Sequence, residues 1–438
     1  MTNREIVQKI FIEGVRSVLP EKLIRNIIRI KGPELRIKDL TFNLNDIANI
    51  YVIGAGKASA AMAHYTEVIL GERITDGHII VKYDYACQLE KIKVTEAGHP
   101  IPDQNSFKAT EEILKIADNA GDKDLVICLL SGGGSSLMTD LPPGLLPEEI
   151  IIVNNLMVRC GASISEINCV RKHLSLVKGG HLARRAWPAT LVTLIISDVP
   201  DDSVDVIASG PTAPDPSTFS DALNLIAKYG LAQDLTTGVL KYLQEGAEGI
   251  RTETPKPGDK IFSRTFNIIT GTNLVALEGA GKVAIDLGLN TFIIDSGLKG
   301  DVESVSQSVL EASIRYKEAR DIRKPVCLLY GGETTVRVAG NGLGGRNQHL
   351  ALLMAIRLKD YKGITFLAAG TDGTDGFTSA AGAVADSETI EAAASRNADP
   401  EKYLQEFDSY NFFRIAGGLI KTGPTYTNVM DLLIVIIE

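Results

Sequence analysis

The sequence predicts an α/β fold of two domains, each with a largely parallel sheet covered by helices. Three observations carry this expectation. Short, wholly apolar runs alternate with amphipathic stretches, glycine-rich turns follow several of those runs, and a polar, proline-bearing break interrupts the rhythm near residue 250. Continuous apolar strands separated by helices indicate a parallel sheet buried on both faces. A length of 438 residues suits two such domains, and the break divides the chain into 1–250 and 251–438.

The first thirty residues read as two helices. Ile6, Ile10, Phe11, Val15 and Val18 recur at helical spacing, and Pro20 opens the second. Ile50-Tyr51-Val52-Ile53 then reads as a strand feeding a glycine turn and a helix to about Leu70. Ile79-Ile80-Val81, a helix near Ser106 to Asp118, Leu125 to Leu130, and Leu191 to Ile196 continue the alternation. Glu253-Thr254-Pro255-Lys256-Pro257-Gly258 reads as a linker or long hairpin. Beyond it, Ile268-Ile269, Phe292 to Ile294, Val326 to Leu329, Phe366 to Ala369 and Leu432 to Ile437 are the expected strands of the second domain. A cleft between two such domains is a common ligand site.

Composition narrows the function. The chain is 45% hydrophobic and 23% charged, which suits a globular protein with sizeable cores. A formal charge of -9 argues against a nucleic-acid partner. The N-terminus lacks a signal-peptide layout, and no apolar run reaches the ~18 residues of a membrane span. Five scattered cysteines without a C-x-x-C pair give no structural zinc set, so a reducing, cytoplasmic location is expected. The histidines show no ligand spacing, and no Gly-x-Ser-x-Gly elbow is present, so hydrolysis is not favoured.

Four glycine-rich elements carry the chemistry. Gly54-Ala55-Gly56-Lys57-Ala58-Ser59 lies between a strand and a helix, where amides and helix dipole suit an anion. It departs from the dinucleotide pattern at Ser59 and from the Walker pattern at Tyr51 and Ala58. Ser131-Gly132-Gly133-Gly134-Ser135-Ser136 can fold into an anion-binding nest. Gly331-Gly332-Glu333 ends another buried run, and Arg346 begins a helix, where its charge opposes the dipole unless an anion is near. Asp372 and Asp375 offer oxygen ligands for magnesium or another divalent cation. Asp198, at a strand's carboxyl end, completes the candidates.

Taken in order, these runs resemble one family, the glycerate 2-kinases of the MOFRL type, which have also been called hydroxypyruvate reductases. The resemblance rests on Val52 to Ala58, Leu130 to Leu137, Val177 to Ala183, Ser197 to Val199, Ile207 to Thr212, Gly331 to Val336, Gly342 to Gln348 and Gly370 to Gly376. It departs at Tyr426 and Met430, where the family usually shows Gly and Asn. The resemblance implies a Rossmann-like first domain, an active site in the interdomain cleft, and phosphorylation of D-glycerate by ATP at the 2-hydroxyl with a divalent cation. It would set Lys57 and Arg346 across that cleft, around the transferring phosphoryl group.

On this expectation Lys57, Asp198 and Arg346 are catalytic, Asp198 orienting the hydroxyl or holding metal. Gly54, Gly56, Ser131 to Ser136 and Glu333 bind substrate or ATP. The partners expected are small molecules rather than nucleic acid or membrane, with a homodimer as a candidate assembly. A nicotinamide-dependent hydroxypyruvate reductase and a non-catalytic sugar-phosphate sensor are the alternatives.

Overall fold

The computed structural model describes residues 1–438. The chain forms two compact units. The N-terminal unit comprises Ile24–Ile196 and Asp202–Thr270, and the C-terminal unit Met1–Leu23, Ser197–Asp201 and Gly271–Glu438. The division therefore differs from a single cut at 250/251.

Packing explains the difference. Helix α1 (Asn3–Ser17) lies against a helix of the C-terminal unit, and a Cβ at Gly279 would stand 1.8 Å from Ser17 Oγ. That approach needs a residue without a side chain. The proline-bearing stretch is no free linker but is fastened into the N-terminal unit. Glu253 Oε1 lies 2.9 Å from His173 Nε2, Thr254 Oγ1 donates to Asp215 Oδ2 at 3.1 Å, and the Asp215 amide donates to the Pro255 carbonyl.

In the N-terminal unit, six strands make one sheet. They are β1 (Ile50–Ala55), β2 (Ile74–Lys82), β3 (Lys93–Ala97), β4 (Leu125–Leu130), β5 (Thr190–Ile196) and β6 (Thr265–Gly271), in the order β3-β2-β1-β4-β5-β6. The pairs joining β3 through β5 are all parallel. This is the strand order of the doubly wound dinucleotide-binding fold. Every residue of β4 is buried, as its unbroken apolar run requires. Helix α2 (Ser59–Leu70) follows β1, and α3 (Pro147–Arg159) and α4 (Ile164–His173) share a separate apolar core that includes Val153, Met157 and Val170.

The C-terminal unit holds α5 (Asn273–Asp286), α6 (Arg346–Leu358) and a second six-stranded sheet. Its strands are β7 (Asn290–Asp301), β8 (Val326–Thr335), β9 (Ile364–Gly370), β10 (Gly382–Asp386), β11 (Leu419–Ile420) and β12 (Asp431–Ile437), in the order β7-β8-β12-β9-β10-β11. Here the expectation of a largely parallel sheet fails. Only β7 and β8 pair parallel, because the final strand β12 inserts antiparallel between β8 and β9, and β10 returns antiparallel along β9. No helix is long and apolar enough to cross a membrane.

The His173–Glu253 contact makes stability pH-dependent. Burial opposes the imidazolium charge, but the Cys169 carbonyl and Glu253 outweigh it and raise the His173 pKa from 6.5 to about 9. Burial likewise opposes the Glu253 carboxylate, yet His173 and the amides of Phe219 and Thr254 hold its pKa at about 2 instead of 4.5. The histidine's contribution is complete below pH 6.5 and lost as pH rises through about 9. The glutamate's is complete above pH 4.5 and lost as pH falls through about 2. The melting temperature of the N-terminal unit should therefore peak between about pH 4.5 and 6.5. In His173→Gln its decline between 6.5 and 9 should flatten; a variant that tracks the wild type across that range would refute the assignment.

Candidate active site

Strand order in the N-terminal sheet reverses between β1 and β4, and open α/β sheets bind ligands beyond the strand ends at such a switch point. The loops after these two strands are the sequence-predicted Gly54–Ser59 and Ser131–Ser136. They are stitched together: the Lys57 amide donates to the Gly132 carbonyl at 2.9 Å, and the Ala58 amide to Ser131 Oγ at 2.9 Å.

That stitching assigns the loops different tasks. In the first loop the amides of Gly56, Lys57, Ala58 and Ser59 all donate within the protein, to Ile80 O, Gly132 O, Ser131 Oγ and Gly56 O. None remains for a phosphate, so this loop's offering is the Lys57 side chain. Gly54 and Gly56 answer to packing: a Cβ at either would stand 2.1 Å from Leu129 O or Ser131 Oγ respectively. Ser131 is 1% exposed, and its hydroxyl, which also meets Ser59 Oγ at 3.2 Å, is a clip between loops, not a ligand donor.

The second loop is the open one. The amides of Gly132 and Gly133 make no hydrogen bond within the protein, as an anion nest requires. Gly133 adopts φ 86° and abuts His99, whose Nε2 would lie 2.8 Å from a Cβ there. Burial, with Lys57 and Lys82 nearby, lowers the His99 pKa to about 4 and keeps it neutral. Gly134 packs on Ala208, and Ser135 Oγ meets Ser209 Oγ at 2.7 Å. Ala208 and Ser209 both hold positive φ, strained backbone pressed against the loop. Ser136 Oγ donates to the Gly133 carbonyl.

In the C-terminal unit, β8 and β9 end where antiparallel β12 begins, and Asp431 pairs in register with both Gly332 and Gly370. Arg346 holds the Asp431 carboxylate in a fork, Nε–Oδ2 2.6 Å and Nη2–Oδ1 3.0 Å, and reaches Glu333 Oε1 through Nη1 at 2.7 Å. Burial disfavours the guanidinium charge, but Asp431 and Glu333 hold it firmly protonated. The anion that the start of α6 demanded is thus supplied internally by Asp431.

Asp375 is a correction. Its Oδ1 accepts from the amide and side chain of Asn347, and its Oδ2 from the amide and side chain of Gln348. With N–H donors on both oxygens it caps α6 and has no oxygen to offer a metal; burial raises its pKa to about 6 against those donors. Asp372 Oδ1 accepts from the Thr374 amide and hydroxyl in a tight turn. It also lies, like Asp431 Oδ1, 3.4 Å from the Cβ position of Gly370, so these two carboxylates, not the predicted pair, share the strand edge. Asp198 belongs to this unit. The Ser197 amide donates to Gly271 O at 2.9 Å, bringing Asp198 to the approach of α5.

The two departures in the tail have a conformational meaning. Tyr426 and Met430 hold φ 56° and 70°, the left-handed region where Gly and Asn are favoured. The segment keeps that path because the Thr371 amide and hydroxyl donate to the Met430 carbonyl, and Thr371 Oγ1 accepts from the Val429 amide.

Sequence reasoning missed Asp431, His99, Ser209 and Asn168, whose Oδ1 accepts from Ser209 Oγ. Ser209 lies within Ile207 to Thr212, one of the runs that carry the family resemblance. The others carry no motif and are assembled by tertiary packing alone.

Residues 6–244 match a family described only as a domain of unknown function, DUF4147, and residues 326–431 match the MOFRL family. The chain is 40% identical over 417 residues to the D-glycerate 2-kinase of Thermotoga maritima, covering 94% of this chain and 96% of that one. It is 36% identical to the glycerate 2-kinase of Pyrococcus horikoshii, covering 100% and 98%. A crystal structure of Thermotoga maritima glycerate kinase superposes with a TM-score of 0.88 at 37% identity, covering 99% of each chain.

Proposed function

The chain belongs to the family of MOFRL-type glycerate 2-kinases, and from that premise we propose that it transfers the γ-phosphoryl group of ATP to the 2-hydroxyl of D-glycerate. The observation that carries this reading is the open Gly132–Gly133 amide pair beside Lys57 at the sheet's switch point. Phosphoryl transfer asks a protein for positioning and charge stabilisation more than for covalent chemistry.

Lys57 and Arg346 neutralise charge on the transferring group, the Gly132–Ser136 loop cradles phosphate oxygens, and Asp198 orients the 2-hydroxyl and takes its proton. No group of three or more acidic, histidine or cysteine side chains forms a ready-made metal site. A magnesium ion uses one or two carboxylates together with substrate oxygens; Asp372, at the strand edge beside Gly370, is the residue that would hold it, and it would neutralise phosphate charge. The reading carries with it small-molecule partners, a cytoplasmic location and a homodimer as the candidate assembly.

A hydroxypyruvate reductase would bind a dinucleotide pyrophosphate on the first glycine loop, but that loop has spent its amides within the protein. A coupled assay separates the two activities. ADP release should depend on D-glycerate, and hydroxypyruvate should not drive NADH oxidation. Glycerate-independent ADP release, or hydroxypyruvate-dependent NADH oxidation, would overturn the kinase reading.

A further inference from the structure

The N-terminal unit contains a cavity of about 480 Å³ bounded by the glycine loop, the segment from His99 to Pro102, and helices α3 and α4. At ~30 Å³ per water this is room for roughly sixteen waters, far more than a three-carbon acid displaces. Its size falls among pockets that bury drug-sized ligands.

The lining is of two kinds. Ile150, Val153 and Leu174 are buried aliphatic residues, and Val158 is exposed. Ser135 and Ser136 of the glycine loop, with Asp140, Arg171 and Lys178, make up the polar part. Arg171 Nε donates to Asn154 Oδ1 at 2.7 Å, while its terminal nitrogens make no hydrogen bond within the protein. Lys178 is 4% exposed, and its Nζ donates to the Met138 carbonyl at 2.8 Å. Asp140 is occupied by Ser175 Oγ and the Leu176 amide. Two cations against one satisfied carboxylate leave this polar part positive, and the terminal nitrogens of the half-buried Arg171 are open to an anion.

We propose that this cavity is the enzyme's nucleotide pocket, with the purine against Ile150, Val153 and Leu174 and the phosphate chain running past Arg171 onto the Gly132–Ser136 loop. The proposal rests on the kinase reading and adds to it where the nucleotide sits. An amphiphilic pocket lined by aliphatic and cationic side chains matches a purine nucleotide and leaves most of its volume unfilled by glycerate. Gly133 is itself on the lining and adjoins Lys57, whose Cγ would stand 3.6 Å from a Cβ there.

The test uses the full chain and fluorescent mant-ADP. Arg171→Gln should weaken mant-ADP binding and raise KM for ATP by roughly 10- to 100-fold, the worth of one charge-assisted hydrogen bond. KM for D-glycerate should stay within about twofold of wild type, since that ligand makes no such bond. Val158→Trp, at an exposed rim position that leaves the core intact, should show energy transfer to mant-ADP above the Trp187 background, reversed by ATP and not by D-glycerate. Unchanged nucleotide affinity in Arg171→Gln, absence of transfer in Val158→Trp, or a rise in glycerate KM alone would each overturn the proposal. The kinase reading falls separately: if mant-ADP behaves as stated but D-glycerate is never phosphorylated, the pocket stands and the substrate does not.

Discussion

Lys57→Met should fold normally and lose about 10²–10³ of turnover, the usual loss when one charge stabilising a transition state is removed. The fold should survive because the Lys57 backbone, through its amide bond to Gly132 O, does the stitching between loops. The side chain is the loop's only offering to a phosphate once the amides of Gly56 through Ser59 are spent. An independent readout is His99. Lys57 is one of the charges that depress its pKa to about 4, so Lys57→Met should move the His99 titration upward. Near-normal turnover with a shifted His99 would show the substitution worked as designed and Lys57 is not catalytic.

Arg346→Ala should cost both stability and activity. Asp431 is 1% exposed and takes two hydrogen bonds from Arg346. Removing one partner of a buried pair leaves the other charge uncompensated, at about 3–5 kcal/mol. Denaturant unfolding should register that loss, and activity alone could not separate it from a catalytic role. The double substitution Arg346→Met/Asp431→Leu can, because apolar replacement of a whole buried pair is often near neutral. It should recover most of the stability and remain inactive. Recovered turnover would make Arg346 a purely structural residue.

The elements that were legible in the sequence are those whose burial is uniform. Leu125 to Leu130 and Leu432 to Ile437 are strands because an unbroken apolar run of that length has nowhere to go but the middle of a sheet. Apolarity carries no direction, however, so nothing in Leu432–Ile437 announced that it enters antiparallel between β8 and β9. The break near residue 250 was a real change of composition but not of contact. Glu253 and Pro255 are tied into the N-terminal unit by His173 and Asp215, which no local pattern reveals.

The candidate site was legible where charge sits in an unusual backbone setting. Lys57 drew notice between a strand and a helix and Arg346 at a helix start, and the structure has Lys57 in the loop after β1 and Arg346 as the first residue of α6. Their partners were not legible. Asp431 is 85 residues from Arg346, and Asp375 resembled a metal ligand until the structure set it on the amides of Asn347 and Gln348. Arg171, Lys178 and Asp140 line one cavity only because α4 and its neighbouring loops fold together, a relation spacing cannot encode.

The most direct test of the account is the position of the phosphate on the product. Wild-type protein incubated with ATP, magnesium and D-glycerate, and followed by phosphorus NMR with carbon coupling, should give a phosphate ester on carbon 2 with matching release of ADP. A phosphate on carbon 3, or no ester while the protein remains folded, would contradict it.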